Sequence, residues 1–225
     1  MKNNTKEKKS VFSSARQVIV VTLILLIVCG LGFPLLLTGI SSLIFPKQAE
    51  GNLVKADGVA VGSEFVGQDF TEDYFMKCRP SAYNYNTYYE DENGNQYYND
   101  GSEYGGLSSG SNNYAPSNPE LAERVEKDIE EFLEANPGVK REDIPTDLLT
   151  ASGSGLDPHI SPASAEIQIP AISEASGISE EELKKIVEDN TEGKLLGIFG
   201  EETVNVLGVN LEIAKEMGIV SNIEK

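Results

Sequence analysis

The stretch QVIVVTLILLIVCGLGFPLLLTGISSLIFP, Gln17 to Pro46, runs 30 residues without one charged side chain. A helix needs roughly 20 predominantly apolar residues to cross the hydrocarbon core of a bilayer. Lipid offers no partner for a bare backbone amide, so a segment of this kind must close its hydrogen bonds internally, as a helix. A cleaved signal peptide is the alternative, but its apolar region spans about 7–15 residues and ends at a small-residue cleavage site. This stretch is longer, and no A-x-A pattern follows it. Gly30, Gly32 and Pro34 interrupt the run. Proline lacks an N–H and its ring crowds the carbonyl four residues earlier, so the sequence predicts one kinked spanning helix over 17–46.

Charge around the stretch gives it a direction. Lys2, Lys6, Lys8, Lys9 and Arg16 precede it against Glu7 alone. Basic flanks stay on the cytoplasmic side. The expectation is a single-pass plasma-membrane protein with a cytoplasmic tail at residues 1–16 and residues 47–225 outside. The whole chain carries −18, and its first 16 residues carry +4, which leaves −22 for the remainder. So acidic a region is unsuited to nucleic acid or to an anionic membrane surface. It attracts cations, though screening confines that pull to about 8 Å at physiological salt. Cys29 falls inside the span and Cys78 outside it, so the two cannot pair. The outer part must then be held by an apolar core, and its length suffices for one domain.

That outer part reads as a single soluble α+β domain behind one N-terminal transmembrane helix. Residues 58–70 alternate loosely and predict one or two short strands. Residues 83–104 hold seven of the nine tyrosines, five acids and no Lys or Arg. They show neither a helical nor a strand period and read as a flexible, solvated insertion. Asp91 to Glu103 only half fits the alternating ligand spacing of a calcium loop. A helix is predicted over 117–135, with Ser117 and Glu120 at capping-box spacing, Pro119 in the first turn, and Leu121, Val125, Ile129, Phe132 and Leu133 on one face. A second starts at Ser161-Pro162 with a bend at Pro170, and a third at Ser179, burying Leu183, Ile186 and Val187. Residues 203–207 read as a strand and 208–217 as a closing helix.

Reactive chemistry has little support. There is no G-x-x-x-x-G-K-[ST] phosphate loop. Gly153-Ser154-Gly155 lacks the third glycine and the strand–helix setting of a dinucleotide fingerprint, and reads as a turn. His159 is the only histidine, which excludes most zinc sites. A stand-alone extracellular hydrolase using His159 is the alternative function, but no G-x-S-x-G elbow positions a serine for it. Two polar loops are more telling. LSSGSNNYAPSNP (Leu107–Pro119) and TASGSGLDPHISP (Thr150–Pro162) are rich in Gly, Ser and Asn and nearly uncharged. Such loops are suited to lie against each other or against a partner's backbone.

Four blocks in order resemble the C subunit of the bacterial potassium-transporting P-type ATPase, the Kdp complex. YFMKCRPSA (Tyr74–Ala82) is similar to its Y-F-x-x-R-P-S-A, on Arg79, Pro80 and Ser81. SSGSNNYAPSNPEL (Ser108–Leu121) is similar to its S-G-G-S-N…S-N-P-x-L, on Ser111, Asn112, Ser117, Asn118 and Pro119. TASGSGLDPHISP matches nearly letter for letter, on Thr150, Ser152, Gly153, Ser154, Gly155, Asp157 and His159. GEETVNVLGVNLEIA (Gly200–Ala214) is similar to the family's closing block, on Asn205 and Asn210. Ser109 for a usual glycine, one added residue at Asn113-Tyr114, the long stretch 83–104 and Val209 for a common leucine depart from the pattern.

The resemblance implies an accessory subunit with no catalytic residue and no firmly held cofactor. Its implied partners are the ATP-hydrolysing P-type subunit, a potassium-channel-like subunit and a small single-span subunit. The family's role is assembly of a high-affinity potassium uptake pump, and it is described as a chaperone that raises the ATPase subunit's affinity for ATP. A glutamine matching Gln168 is proposed to touch that nucleotide. This last expectation conflicts with the charge argument, since ATP is inside and the flank bias puts Gln168 outside.

Overall fold

A computed structural model describes residues 11–224. Most of the expected cytoplasmic tail, residues 1–10, lies outside the described residues. The chain divides into two compact units, one up to Gly51 and one from Asn52.

In the first unit a continuous helical run comprises α1 (Val11–Ile27), a π turn (Val28–Gly32) and α2 (Phe33–Ile44). Residues Ala15–Ile44 are long and apolar enough to span a membrane, and none of their window is buried within the protein. The expected disturbance at Pro34 takes the form of the π turn just before it. The Phe33 N–H reaches back five residues to the Val28 carbonyl. One extra residue in that turn accommodates the proline without ending the helix. A single turn, α3 (Pro46–Ala49), follows.

The second unit is the α+β domain. Strands β1 (Leu53–Ala56) and β2 (Val59–Ser63) form a hairpin around Asp57-Gly58, whose φ values of 50° and 82° suit a tight two-residue turn. The last strand, β8 (Ile223–Glu224), pairs antiparallel with β1 and closes the sheet. Asp57 reinforces the join, its carboxylate accepting from the Ser221 and Asn222 amides. Further along lie β3 (Tyr89–Glu90), β4 (Gln96–Tyr97) and α4 (Pro119–Ala135). A second three-stranded sheet has the order β5–β7–β6, built from β5 (His159–Ile160), β6 (Thr191–Glu192) and β7 (Thr203–Asn205). Helices α5 (Pro162–Glu166), α6 (Ile169–Ser176), α7 (Glu180–Asp189) and α8 (Val206–Glu216) complete the domain.

Helix α8 is the hub. Val206, Val209 and Ile213 join Met76, Ile160, Ile169, Ile172, Leu183 and Val204 in the main core. Leu207 and Leu211, on its other side, pack with Val54 and Ala56 of β1. A helix apolar on both sides has to be buried on both sides. The predicted face of α4 covers a third cluster, Ile129, Ile144 and Leu148.

Several boundaries differ from the sequence reading. The strand expected over 203–207 stops at Asn205, because the Asn205 side chain accepts from the Gly208 amide and caps α8 two residues early. The cap of α4 is Asn118, accepting from the Glu120 amide, and Ser117 stands outside the helix. The helix expected from Ser161 is two helices, and Pro170 sits in the first turn of the second, where its missing N–H costs nothing. Within 83–104 a short hairpin pairs Tyr89 with Tyr97. Its turn is held by the Asp91 carboxylate, which accepts from the amides of Asn93 and Asn95 and from the Asn95 side chain.

Residues 68–82 cross the domain without regular structure, yet Met76 is 1 % exposed. Their buried backbone groups need partners, and side-chain amides supply them. Asn210 Oδ1 accepts from the Met76 amide at 2.7 Å, and Asn210 Nδ2 donates to the Met76 carbonyl at 2.9 Å. Gln168 Oε1 accepts from the Lys77 amide at 2.8 Å, and Gln168 Nε2 donates to the Lys77 carbonyl at 3.3 Å. Two amides thus pair two consecutive residues as a neighbouring strand would. Replacing Asn210 with alanine strands one buried donor and one buried acceptor, and is expected to cost about 2–4 kcal/mol. Urea unfolding in detergent checks this, and a loss below about 0.5 kcal/mol would contradict the pairing.

A carboxylate fixes the start of α5. Asp147 accepts from the Ser161 amide at 2.7 Å and from the hydroxyls of Ser164 and Ser161 at 2.6 and 3.1 Å. Partial burial pulls its pKa up, but the Ser164 and Ser161 donors outweigh that and hold it below the usual value. A carboxyl whose folded pKa is depressed contributes stability above its unfolded pKa and loses it as pH falls through the folded value. Asp147→Asn is therefore expected to be less stable than wild type at pH 7, with the difference shrinking below about pH 4. Parallel unfolding curves at pH 7 and pH 3 measure it, and a constant gap would refute the linkage.

Candidate functional site

Three of the four sequence blocks converge on one stack of loops. The Arg79 guanidinium is its pin. Arg79 Nη1 donates to Asp157 Oδ2 at 3.1 Å and Arg79 Nε donates to the Thr150 carbonyl at 3.3 Å. One side chain therefore ties the first block to the start and the middle of the third. Beside it, Ser81 Oγ donates to the Gly155 carbonyl at 2.6 Å. Tyr85 OH donates to the Arg79 carbonyl at 2.8 Å, with the Asp157 carbonyl 3.3 Å away.

The second block joins through Gly110, whose amide donates to the Ser154 carbonyl at 2.7 Å. Ser109 Oγ donates to the same carbonyl at 3.1 Å. Gly155 has to be glycine on two counts. Its φ is +66°, and an added Cβ would lie 2.4 Å from the Gly110 carbonyl oxygen. The turn is closed by Ser152 Oγ, which accepts from the Gly155 amide at 2.9 Å. Gly153-Ser154-Gly155 is accordingly a turn, and the two polar loops lie against each other.

Electrostatics follow the same geometry. The His159 side chain and its amide, together with the Arg79 charge, hold the Asp157 carboxyl below its usual pKa against the opposing effect of partial burial. His159 Nδ1 lies 3.5 Å from Asp157 Oδ1, and its backbone pairs with Asn205 in the sheet. The nearby hydroxyls of Ser161 and Ser164 are directed at Asp147. Among the described residues no serine hydroxyl hydrogen-bonds His159, so the geometry gives a His159 hydrolase no nucleophile. Burial pushes the half-buried Cys78 thiol up to about 12, which keeps it in the thiol form at neutral pH.

The stack leaves an open groove of about 200 Å³. Ser81, Ser111, Asn112, Asn113, Arg124 and Thr150 line it together with Pro80, Ala82, Tyr114, Leu121 and Ala151. Arg124 is braced by an ion pair with Asp128 and donates to the Leu149 carbonyl at 3.0 Å. Its floor is thus fixed, while Asn112 and Asn113 on its rim are exposed. The groove offers hydroxyls, amides and one guanidinium, a set suited to a partner's backbone or polar side chains.

Other expected site residues lie elsewhere. Asn118 and Pro119 open α4, with Ser117 exposed before them. Gly153 and Ser154 are exposed at the turn. Asn205 caps α8 and donates through Nδ2 to the Glu64 carbonyl at 2.8 Å, and Asn210 is 2 % exposed inside the core. Gln168 is 3 % exposed, and both ends of its amide are engaged by Lys77 and Ser164. It borders a separate hollow of about 470 Å³, lined also by Asp73, Lys77, Glu131, Glu134 and Glu174. Burial lowers the pKa of Lys77 there, while neighbouring acids oppose that shift.

Sequence reasoning missed Tyr85 and Asn86. Asn86 Nδ2 donates to the Ser108 carbonyl and Asn86 Oδ1 accepts from the Ser108 amide, both at 2.9 Å, which anchors the long stretch 83–104 to the second block. Nothing in a run of alternating Tyr and Asn distinguishes these two from their exposed neighbours.

Comparison with known proteins agrees with the four blocks. The family described as KdpC, K+-transporting ATPase, c chain, matches residues 15–215. A Potassium-transporting ATPase KdpC subunit of Clostridium kluyveri is 59 % identical over 208 residues, covering 92 % of this chain and 96 % of the relative. One from Clostridioides difficile is 58 % identical over 207 residues, with 90 % and 97 % covered. One from Caldanaerobacter subterraneus is 46 % identical over 196 residues, with 87 % and 92 % covered. With its spanning helix, its loop stack and these relatives, the chain belongs to the KdpC family of potassium-transporting ATPase C chains.

Proposed function

We propose that this chain is a non-catalytic, single-span subunit that holds a potassium-transporting ATPase complex together, with its domain on the outer face of the plasma membrane. The observation that carries the reading is the loop stack. Arg79, Asp157, Ser81 and Gly155 spend their polar groups on one another, so the stack is a rigid polar surface rather than a reactive centre. A pre-ordered surface loses little freedom when it docks, which favours a structural role. The groove beside it would receive an extracytoplasmic loop of the potassium-channel-like subunit. The spanning helix would pack in the membrane beside that subunit and near the ATP-hydrolysing and small single-span subunits.

A second reading, raising the ATPase subunit's affinity for ATP, draws on the hollow beside Gln168 and Lys77. Its four carboxylates oppose a polyphosphate, and the basic N-terminal flank argues that the domain is on the wrong side for ATP. The assembly reading is therefore the one we adopt.

A chain ending after residue 46 is expected to abolish growth on limiting potassium while still inserting in the membrane. Normal growth of that strain would sink the assembly reading. Sidedness is tested with a membrane-impermeant thiol reagent on a Cys29→Ser, Cys78→Ser, Asn95→Cys chain, since Asn95 is exposed and Cys78 is only half-buried. Labelling of intact cells is expected. Labelling only after lysis would reverse the orientation and put the ATP reading first.

A further inference from the structure

The connection between β6 and β7 carries GKLLGIFG at residues 193–200. Leu195, Leu196, Ile198 and Phe199 are 70, 81, 75 and 62 % exposed. Isolated exposed leucines need no explanation, but four large apolar side chains within five residues mark an interaction site. The tip is an ordered hairpin rather than a loose loop. The Leu195 amide donates to the Phe199 carbonyl at 2.8 Å, the Phe199 amide donates to the Leu195 carbonyl at 3.0 Å, and the Gly197 amide donates to the Lys194 carbonyl at 2.9 Å. Leu196 is held at φ +55°, a left-handed conformation that strains a residue with a branched side chain. The backbone satisfies itself and presents the apolar side chains outward.

Charge around the root narrows the occupant. Glu192, Glu201 and Glu202 flank the hairpin and are exposed. Glu192 also borders a hollow of about 160 Å³ with Glu64 and Asp189. Lys194 is the one basic residue between Thr191 and Val204. A bilayer would receive the leucines but would meet this acidic collar with anionic headgroups. An apolar centre inside a charged rim is instead the anatomy of a protein interface, with the aromatic and aliphatic side chains as anchors. The same root hollow is bordered by Val54 of β1, and β1 begins nine residues after α2 ends.

We infer that the hairpin at 193–200 is a plug that seats in an apolar hollow rimmed by Lys or Arg on another protein subunit of the same complex. The inference rests on the reading of this chain as a subunit. It adds a second contact, with four apolar side chains at its tip, to the groove's mixed polar and apolar one.

The test uses the complex isolated with its other subunits. A benzophenone maleimide is attached to a Cys29→Ser, Cys78→Ser, Leu196→Cys chain, so that position 196 carries its only thiol. Irradiation is expected to give a crosslink to one protein subunit, about tenfold above that from a probe at Asn95→Cys, as expected for a residue at the centre of an interface. Crosslinks to lipid alone, or no excess over position 95, overturn the inference. A Leu195→Ser, Ile198→Ser chain is expected to melt as wild type does, yet to recover the other subunits about tenfold less well. Wild-type recovery from that chain, where loss of residues 47–225 abolishes recovery, overturns the plug and leaves the subunit reading standing. Wild-type recovery from both chains overturns the plug together with the reading beneath it.

Discussion

The domain depends on two side-chain amides that behave as backbone. Asn210 and Gln168 each offer one donor and one acceptor to a single residue of an irregular segment, Met76 and then Lys77. Without them the main chain at 76–77 would carry unpaired polar groups into the core, at a desolvation cost of about 1–3 kcal/mol for each group. With them the segment can run through the interior as if it lay beside a strand. Everything at the loop stack is downstream, because Arg79 and Ser81 lie two to five residues beyond this clamp and inherit their placement from it. Asn86 repeats the device with Ser108 at the surface.

The clamp works because α8 is immobilised on both sides. Its Val206, Val209 and Ile213 are not exposed at all, and Leu207 and Leu211 fill the second cluster against β1. A helix gripped by two cores cannot rotate without exposing one of them. That fixes the direction of Asn210 and so the height of Met76. Apolar packing thereby sets polar geometry some distance away, through side chains that do not line the groove.

Long periodic features were legible from residues alone. The uncharged run, the apolar face of α4, the start of α7 at Ser179 and the class of the domain all follow from spacing and capping chemistry. Short elements were not. β1 and β8 are too brief to carry a period, and β8 exists because its partner lies at the other end of the domain. The site was legible in part. Its blocks identified the residues, and their polar, weakly charged composition suggested that the loops would lie against each other or a partner. Which residue pairs with which was hidden, since Arg79 meets Asp157 and Ser81 meets Gly155 across more than 70 positions. Asn205 and Asn210 fit a family block yet serve the fold, because an asparagine that caps or clamps looks the same in sequence as one that recognises a partner.

The seam between β1 and β8 has a consequence for how the molecule is made. Asp57 meets Ser221 across 164 positions, so β1 waits for residues 221–224 before its sheet can close. Contacts of such long range form slowly, and late. The long apolar helix is synthesised while most of the domain does not yet exist. Formation of the helix and closure of the sheet are thereby separated in time. During that interval β1 offers an unpaired edge, and a nascent chain stalled anywhere before residue 220 would keep offering it.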